Sequence, residues 1–250
     1  RPHLGCSIIG RKCAREIWYN FRWVSPPKFE GRILRLFDRG QREEPTIVRE
    51  LKMIGCEVWE VDPRTREQFR VSFGSGYIGG SVDGVARGIP GAPKTPHLLE
   101  FKTHNDKSFR NLEAKGLEKS KPEHMAQMQC YMKGLKLTRG LYMAVNKNSD
   151  HLYTERVKFD KTMAQEAIDR GVDIVRSSVP PPRISNRPDW YECKWCQFSP
   201  QCHSGKPMAK NCRTCKHAQL PGDGKWVCGL TSETRNVEAQ RMLSLIHISE

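Results

Sequence analysis

The stretch HLLEFKT at 97–103 sets a carboxylate and an ammonium two positions apart inside an apolar run. Side chains alternate between faces along an extended chain, so Glu100 and Lys102 share one face while Leu99 and Phe101 take the other. The turn-rich GIPGAPKTP before it predicts a hairpin with the preceding strand, YIGGSVDGVAR at 77–87. Asp83 then lies on the opposite arm, across from the pair, between glycines that let the backbone approach another group closely. Hard oxygen ligands of this kind hold Mg²⁺ or Mn²⁺, and a neighbouring lysine can orient a water or stabilise charge on a phosphate. The same residues also suit an exposed Glu–Lys pair with Asp83 in a turn, and spacing alone leaves both readings open.

The rest of the chain supplies the frame. A helix is predicted over Ser7–Arg22, broken by VSPPKF, and a second over Gly31–Ile54. The second has Ile33, Leu36, Phe37, Ile47, Val48 and Leu51 as its buried side and Pro45 as a kink. Strands follow at 56–61 and 67–73. Residues 104–121 are polar and basic and read as a mobile segment. Pro122 opens a helix running to Lys133; RGLYMAVNK and HLYTERVKF read as strands, and Lys161–Ser177 as a helix. Strands in succession, then a helix and another strand, with an early helix packed on them, predict an α/β core with a central mixed sheet flanked by helices. Glu44, in RGQREEP, can complete an acidic site, with Glu43 as its rival. Gln127 and Tyr131 form an i,i+4 pair with His124 one turn earlier, either facing the site or forming a half-buried helix face.

Lysine and arginine number 42 against 28 acidic residues, a net charge of +14. Such an excess raises the local concentration of polyanions and points to DNA or RNA as partner. No apolar run is long enough for a membrane span. RPHLGCSIIGRKC has neither an initiator Met nor a signal-peptide core, so the chain reads as a fragment of a cytoplasmic protein (host cytoplasm if phage-encoded).

Taken in order, Gly40-Gln-Arg-Glu-Glu44, Gly80-Ser-Val-Asp83-Gly84, Leu99-Glu100-Phe101-Lys102 and Gln127-Met-Gln-Cys-Tyr131 resemble the motif set of the PD-(D/E)XK nucleases of the RecB, Cas4 and YqaJ-like phage-exonuclease group. The resemblance covers roughly residues 7–160. It implies a restriction-endonuclease-like core and a Mg²⁺- or Mn²⁺-dependent deoxyribonuclease, exonuclease rather than endonuclease, acting on duplex ends or single strands in phage recombination or repair. It also implies Glu44, Asp83, Glu100 and the Phe101 carbonyl as metal ligands, Lys102 as catalytic lysine, and Gln127 and Tyr131 as supporting site residues. A single-strand annealing protein is the expected partner. A Cas4-like CRISPR nuclease and a non-catalytic nucleic-acid binding module are the alternatives.

Six of ten cysteines fall between 193 and 228. Soft thiolates at Cys193, Cys196 and Cys202 select zinc or iron–sulfur iron and need a fourth ligand from elsewhere. The same family resemblance implies a [4Fe–4S] cluster closed by Cys13, with Cys6 as the lesser candidate; zinc with Cys13 or His203 is the alternative. Cys212-x2-Cys215-x12-Cys228 resembles a zinc ribbon, with His217 or a residue after 241 as fourth ligand. Cys56 and Cys130 read as core residues. The expected organisation is a nuclease core over 1–182, a Cys-rich segment over 183–208, a zinc tail over 209–241, and an unassigned apolar stretch over 242–250 that resembles translated adapter sequence.

Overall fold

The computed structural model describes residues 2–241; the apolar stretch from 242, and any ligand there, lie outside the described residues. The chain begins with β1 (Leu4–Gly5), α1 (Cys6–Ile9), α2 (Ala14–Phe21) and α3 (Gly31–Met53). Strands β2 (Glu57–Trp59), β3 (Arg70–Phe73), β4 (Ile78–Ser81), β5 (Gly84–Arg87) and β6 (His97–His104) follow. Then come α4 (Asp106–Ser120), α5 (Pro122–Leu135), β7 (Arg139–Asn146), β8 (Leu152–Lys158) and α6 (Lys161–Arg176). The last elements are α7 (Tyr191–Lys194), α8 (Ser199–His203), β9 (Ala218–Gly222), β10 (Lys225–Cys228) and β11 (Thr234–Arg235). No helix among the described residues is long and apolar enough to cross a membrane.

Two compact units divide the chain, and neither is continuous in sequence. One comprises Lys28–Val71 and Gly80–Ala167; the other gathers Arg1–Pro27, Ser72–Gly79 and the chain from Ile168 onward.

The Lys28–Ala167 unit is built on a five-stranded sheet in the order β2-β5-β6-β7-β8. Its β6–β7 pair is parallel and its other pairs are antiparallel, so the sheet is mixed, as expected. A parallel pair needs a crossover, and α4 and α5 supply it. Ile47, Val48 and Leu51 of α3 pack with Ala86, Leu99, Phe101, Leu141, Met143 and Val145 in one cluster. On β6, Leu98, Leu99, Glu100 and Phe101 are all buried, which makes it the central strand and excludes the exposed edge-strand reading of the Glu–Lys pair.

Several local expectations are corrected. Residues 104–121 are not a mobile segment but the helix α4, which buries Phe109, Leu112 and Leu117. The Asn105 side chain caps it by accepting the Ser108 N–H at 2.8 Å, satisfying one of the helix's orphan donors. The 77–87 strand is two strands, β4 and β5, in different sheets. The first helix is interrupted after Ile9 and restarts at Ala14 with Cys13 as N-cap. α3 runs through Pro45. A proline inside a helix costs about 3 kcal/mol through the lost hydrogen bond and the clash of its ring, and the burial of Ile47, Val48 and Leu51 just beyond opposes that cost. Its predicted buried side holds only for those three residues: Phe37 is 50% exposed, and Ile33 and Leu36 are only partly covered.

In the other unit, α2 buries Ile17, Trp18, Tyr19 and Phe21, and β9, β10 and β11 form an antiparallel sheet with Trp226 inside. Arg213 is buried against the Trp23 ring at 3.6 Å, and its guanidinium donates to the carbonyls of Phe21 and Pro2 and to Gln240 Oε1. With no carboxylate partner among the described residues, this charge is held by aromatic faces and carbonyl dipoles.

Candidate active site

Strand β6 carries the centre of the site. Glu100 is fully buried, and its Oε1 accepts a hydrogen bond from Lys102 Nζ, which also donates to the carbonyl of Phe101 at 3.0 Å. Glu100 Oε2 is buried and has no hydrogen-bond partner among the described residues. Asp83 stands immediately before β5, whose first residue Gly84 pairs with Leu99. Its Oδ2 accepts the Phe101 N–H at 2.8 Å, so a carboxylate takes the donor that β5 leaves unpaired.

Two glycines set this geometry. A Cβ at Gly84 would come within 2.9 Å of the Trp59 carbonyl, and one at Gly80 within 2.5 Å of the Tyr131 hydroxyl. Close backbone approach on both sides of Asp83 therefore depends on the missing side chains.

Glu44 is exposed as a residue, yet its carboxylate feels the charges of Asp83 and Lys102. Burial, then the charge of Asp83, raises the Glu44 pKa, with Lys102 opposing. Burial raises Asp83 against the pull of Lys102 and the Phe101 N–H. Glu100 is pushed up to about 7 by burial, with Lys102 opposing and Asp83 and Glu44 adding to the rise. Burial pulls Lys102 down, but Glu100, Asp83 and Glu44 outweigh it and hold the ammonium charged. Three carboxylates against one ammonium leave a surplus of negative charge that protons or a cation must balance.

That surplus and the orphaned Glu100 Oε2 fit a hard divalent cation, with Glu44, Asp83, Glu100 and the Phe101 carbonyl as its oxygen donors. As the side chains stand, no three His, Cys, Asp or Glu groups among the described residues are gathered closely enough to chelate one. Lys102 instead bridges two of the expected donors.

Gln127 and Tyr131 are both buried on α5, and Gln127 Nε2 donates to the Tyr131 hydroxyl at 3.3 Å. Tyr131 lies against Gly80, three residues before Asp83. A buried polar group beside this site escapes the sequence patterns. Tyr142 sits opposite Glu100 in the β6–β7 register, and its hydroxyl is 2.9 Å from both His104 Nε2 and His124 Nδ1. One hydroxyl proton cannot serve both nitrogens, so one imidazole accepts and the other donates. Burial lowers both histidines, His104 to about 4, and keeps them neutral. His104 was legible as the next same-face residue after Glu100 and Lys102; Tyr142 required the strand register.

Cys13, Cys193, Cys196 and Cys202 line one cavity together with His203, whereas Cys6 is buried elsewhere in its unit. Burial raises the Cys193 thiol, with Cys13 and Cys202 adding to it, and pushes Cys196 up to about 11. Cys212, Cys215, His217 and Cys228 line a second cavity, where Cys215 Sγ accepts the His217 N–H at 3.4 Å. Cys56 and Cys130 are buried, Cys56 within the sheet–α3 core.

No protein-family model matches the chain, and no curated protein matches it. Among solved structures it is similar to an alkaline exonuclease from Laribacter hongkongensis, at 17% identity over 70% of this chain and 86% of that one, with a TM-score of 0.48. The same enzyme in complex with dAMP gives the same values, 17%, 70%, 86% and 0.48. A phage-related exonuclease from Haemophilus somnus 129PT is 14% identical over 70% of this chain and 92% of that one, with a TM-score of 0.45.

Proposed function

We propose that the chain is a metal-dependent DNA nuclease that hydrolyses phosphodiesters at Glu44, Asp83, Glu100 and Lys102, acting as an exonuclease on DNA ends. The observation that carries this reading is the Lys102 ammonium held between Glu100 Oε1 and the Phe101 carbonyl, beside an orphaned carboxylate oxygen. Glu44, Asp83, Glu100 and the Phe101 carbonyl would hold Mg²⁺ or Mn²⁺, which when bound neutralises phosphate charge and lowers the pKa of a water. Lys102, freed from Glu100, orients the attacking water or places positive charge on the phosphoryl oxygens. Asp83 also fixes the strand through the Phe101 N–H. Tyr131 against Gly80 holds the backbone leading to Asp83. The net charge of +14 favours a polyanionic substrate.

The test is cleavage of end-labelled linear duplex against closed circular plasmid with Mn²⁺ or Mg²⁺. Shortening of the linear DNA with the circle intact, abolished by Glu100→Gln, supports an exonuclease. Equal nicking of the circle replaces it with an endonuclease, and no metal-dependent cleavage of either removes the reading.

The cysteine cavities extend the proposal. Cys13, Cys193, Cys196 and Cys202 would hold a [4Fe–4S] cluster or, alternatively, zinc, and Cys212, Cys215 and Cys228 a zinc ion with His217 as fourth ligand. Four cysteines around one cavity, and three cysteines with His217 around the other, support this.

A further inference from the structure

Helix α3 changes character along its length. From Ile47 onward it docks on the sheet, but from residue 31 to residue 46 no side chain is buried. Arg32, Arg35, Arg39 and Arg42 recur through that first part at spacings of three, four and three. At 3.6 residues per turn they fall within an arc of about 80° and span about 15 Å along the axis. Glu44, Ile47, Val48 and Leu51 occupy the opposite side of the helix, so the arginine row faces away from the cleavage site.

The row is poorly neutralised. Arg42 meets Asp38 at 2.9 Å and Arg39 meets Asp150 at 3.8 Å, with the Asp150 side chain 89% exposed. Exposed pairs of this kind are worth about 0–1 kcal/mol and yield easily to a better anion. Arg32 and Arg35, both exposed, have no carboxylate partner among the described residues. A DNA strand carries one charge per about 3.4 Å of axis, so a row of 15 Å faces about four phosphates. Guanidinium groups suit that target, because their planar fork grips two phosphate oxygens at once.

We propose that the arginine row of α3 is a docking surface for the phosphate backbone of duplex DNA, lying outside the cleavage site and holding the substrate while its end is processed. The choice of DNA rests on the nuclease reading; the preference for a regular polyanion rests on the row alone. The test uses the full chain with EDTA and a fluorescein-labelled duplex, read by anisotropy across a salt series. Because no metal is present, the result does not depend on cleavage, and the nuclease reading stands or falls separately on the parent's Mn²⁺-dependent activity. Replacing Arg32, Arg35, Arg39 and Arg42 by Gln keeps helix propensity and should weaken binding at least tenfold. The slope of log affinity against log salt should flatten by about 0.9 for each lost contact, three to four in all. The double variant Arg32→Gln/Arg35→Gln, which spares both ion pairs, should flatten it by about two, and keeps the test alive if the quadruple variant folds poorly. Arg64→Gln/Arg66→Gln should bind as the parent does. Parental affinity and slope in the double variant, or an equal loss in the Arg64/Arg66 control, would overturn the proposal.

Discussion

Lys102 reaches back along its own strand to hold Glu100, and the same ammonium takes the carbonyl of the residue between them. The residue two positions away is thus both its counter-ion and, under the proposed function, a ligand to the cation that would replace it. Under that proposal Lys102 screens a buried carboxylate while the metal is absent and would be released for chemistry when the cation binds. Lys102→Ala should therefore lower cleavage by about two to four orders of magnitude, while DNA affinity without metal changes little. Near-parental turnover in single-turnover assays would remove Lys102 from the chemistry.

The buried carboxyl gives a pH dependence with a definite sign. Glu100 keeps its proton up to about 7 in the fold, whereas an unfolded glutamate loses it near its ordinary value of 4.5. Between those values the native state binds more protons, so this group's contribution to stability is complete below about 4.5 and is lost as pH rises through 7. Glu100→Gln should erase that loss in metal-free protein. Its melting temperature should gain on the parent's between pH 5 and about 7 and level off beyond, and Mn²⁺ at pH 8 should stabilise the parent alone. A constant difference across pH would refute the raised carboxyl.

Gly80→Ala tests the close approach beside Asp83. Its Cβ would meet the Tyr131 hydroxyl at 2.5 Å and Cε1 at 2.7 Å, both on a buried ring. Forcing that ring aside should cost about 1–3 kcal/mol in urea unfolding. Tyr131→Phe in the same chain should recover only part of it, because Cε1 remains; full parental stability of Gly80→Ala alone would show the ring to be free to move.

Tyr142→Phe should strip the buried His104 and the half-buried His124 of a shared partner. Leaving such groups unsatisfied costs about 1–3 kcal/mol, a loss readable by chemical denaturation. No measurable loss would mean that water or another group satisfies His104 and His124.

Cys13→Ser should lower the iron content of anaerobically purified protein, or the zinc content if that is the metal, while Cys6→Ser leaves it unchanged. Cys13 lines the cavity of Cys193, Cys196 and Cys202, and Cys6 does not. Equal metal content in both variants would count against a centre closed by Cys13.

What the sequence determined here is what depends on local periodicity. Alternation alone put Glu100 and Lys102 on one face, turn residues marked the hairpin that carries Asp83 toward them, and Pro122 marked the start of α5. Charge masked α4, where Phe109, Leu112 and Leu117 were too sparse a pattern among charged neighbours to stand out. The tertiary structure decided the rest. Tyr142 lies opposite Glu100 only because β7 runs parallel to β6 in one register, and strand register is set by packing across a crossover of two helices. It decided α3 as well: Ile33 and Phe37 repeat the helical period of Ile47 and Leu51, yet only the second pair is buried. Periodicity defines an apolar face, but burial requires something to cover it, and in this unit the sheet covers only the helix's last turns, from Ile47 onward.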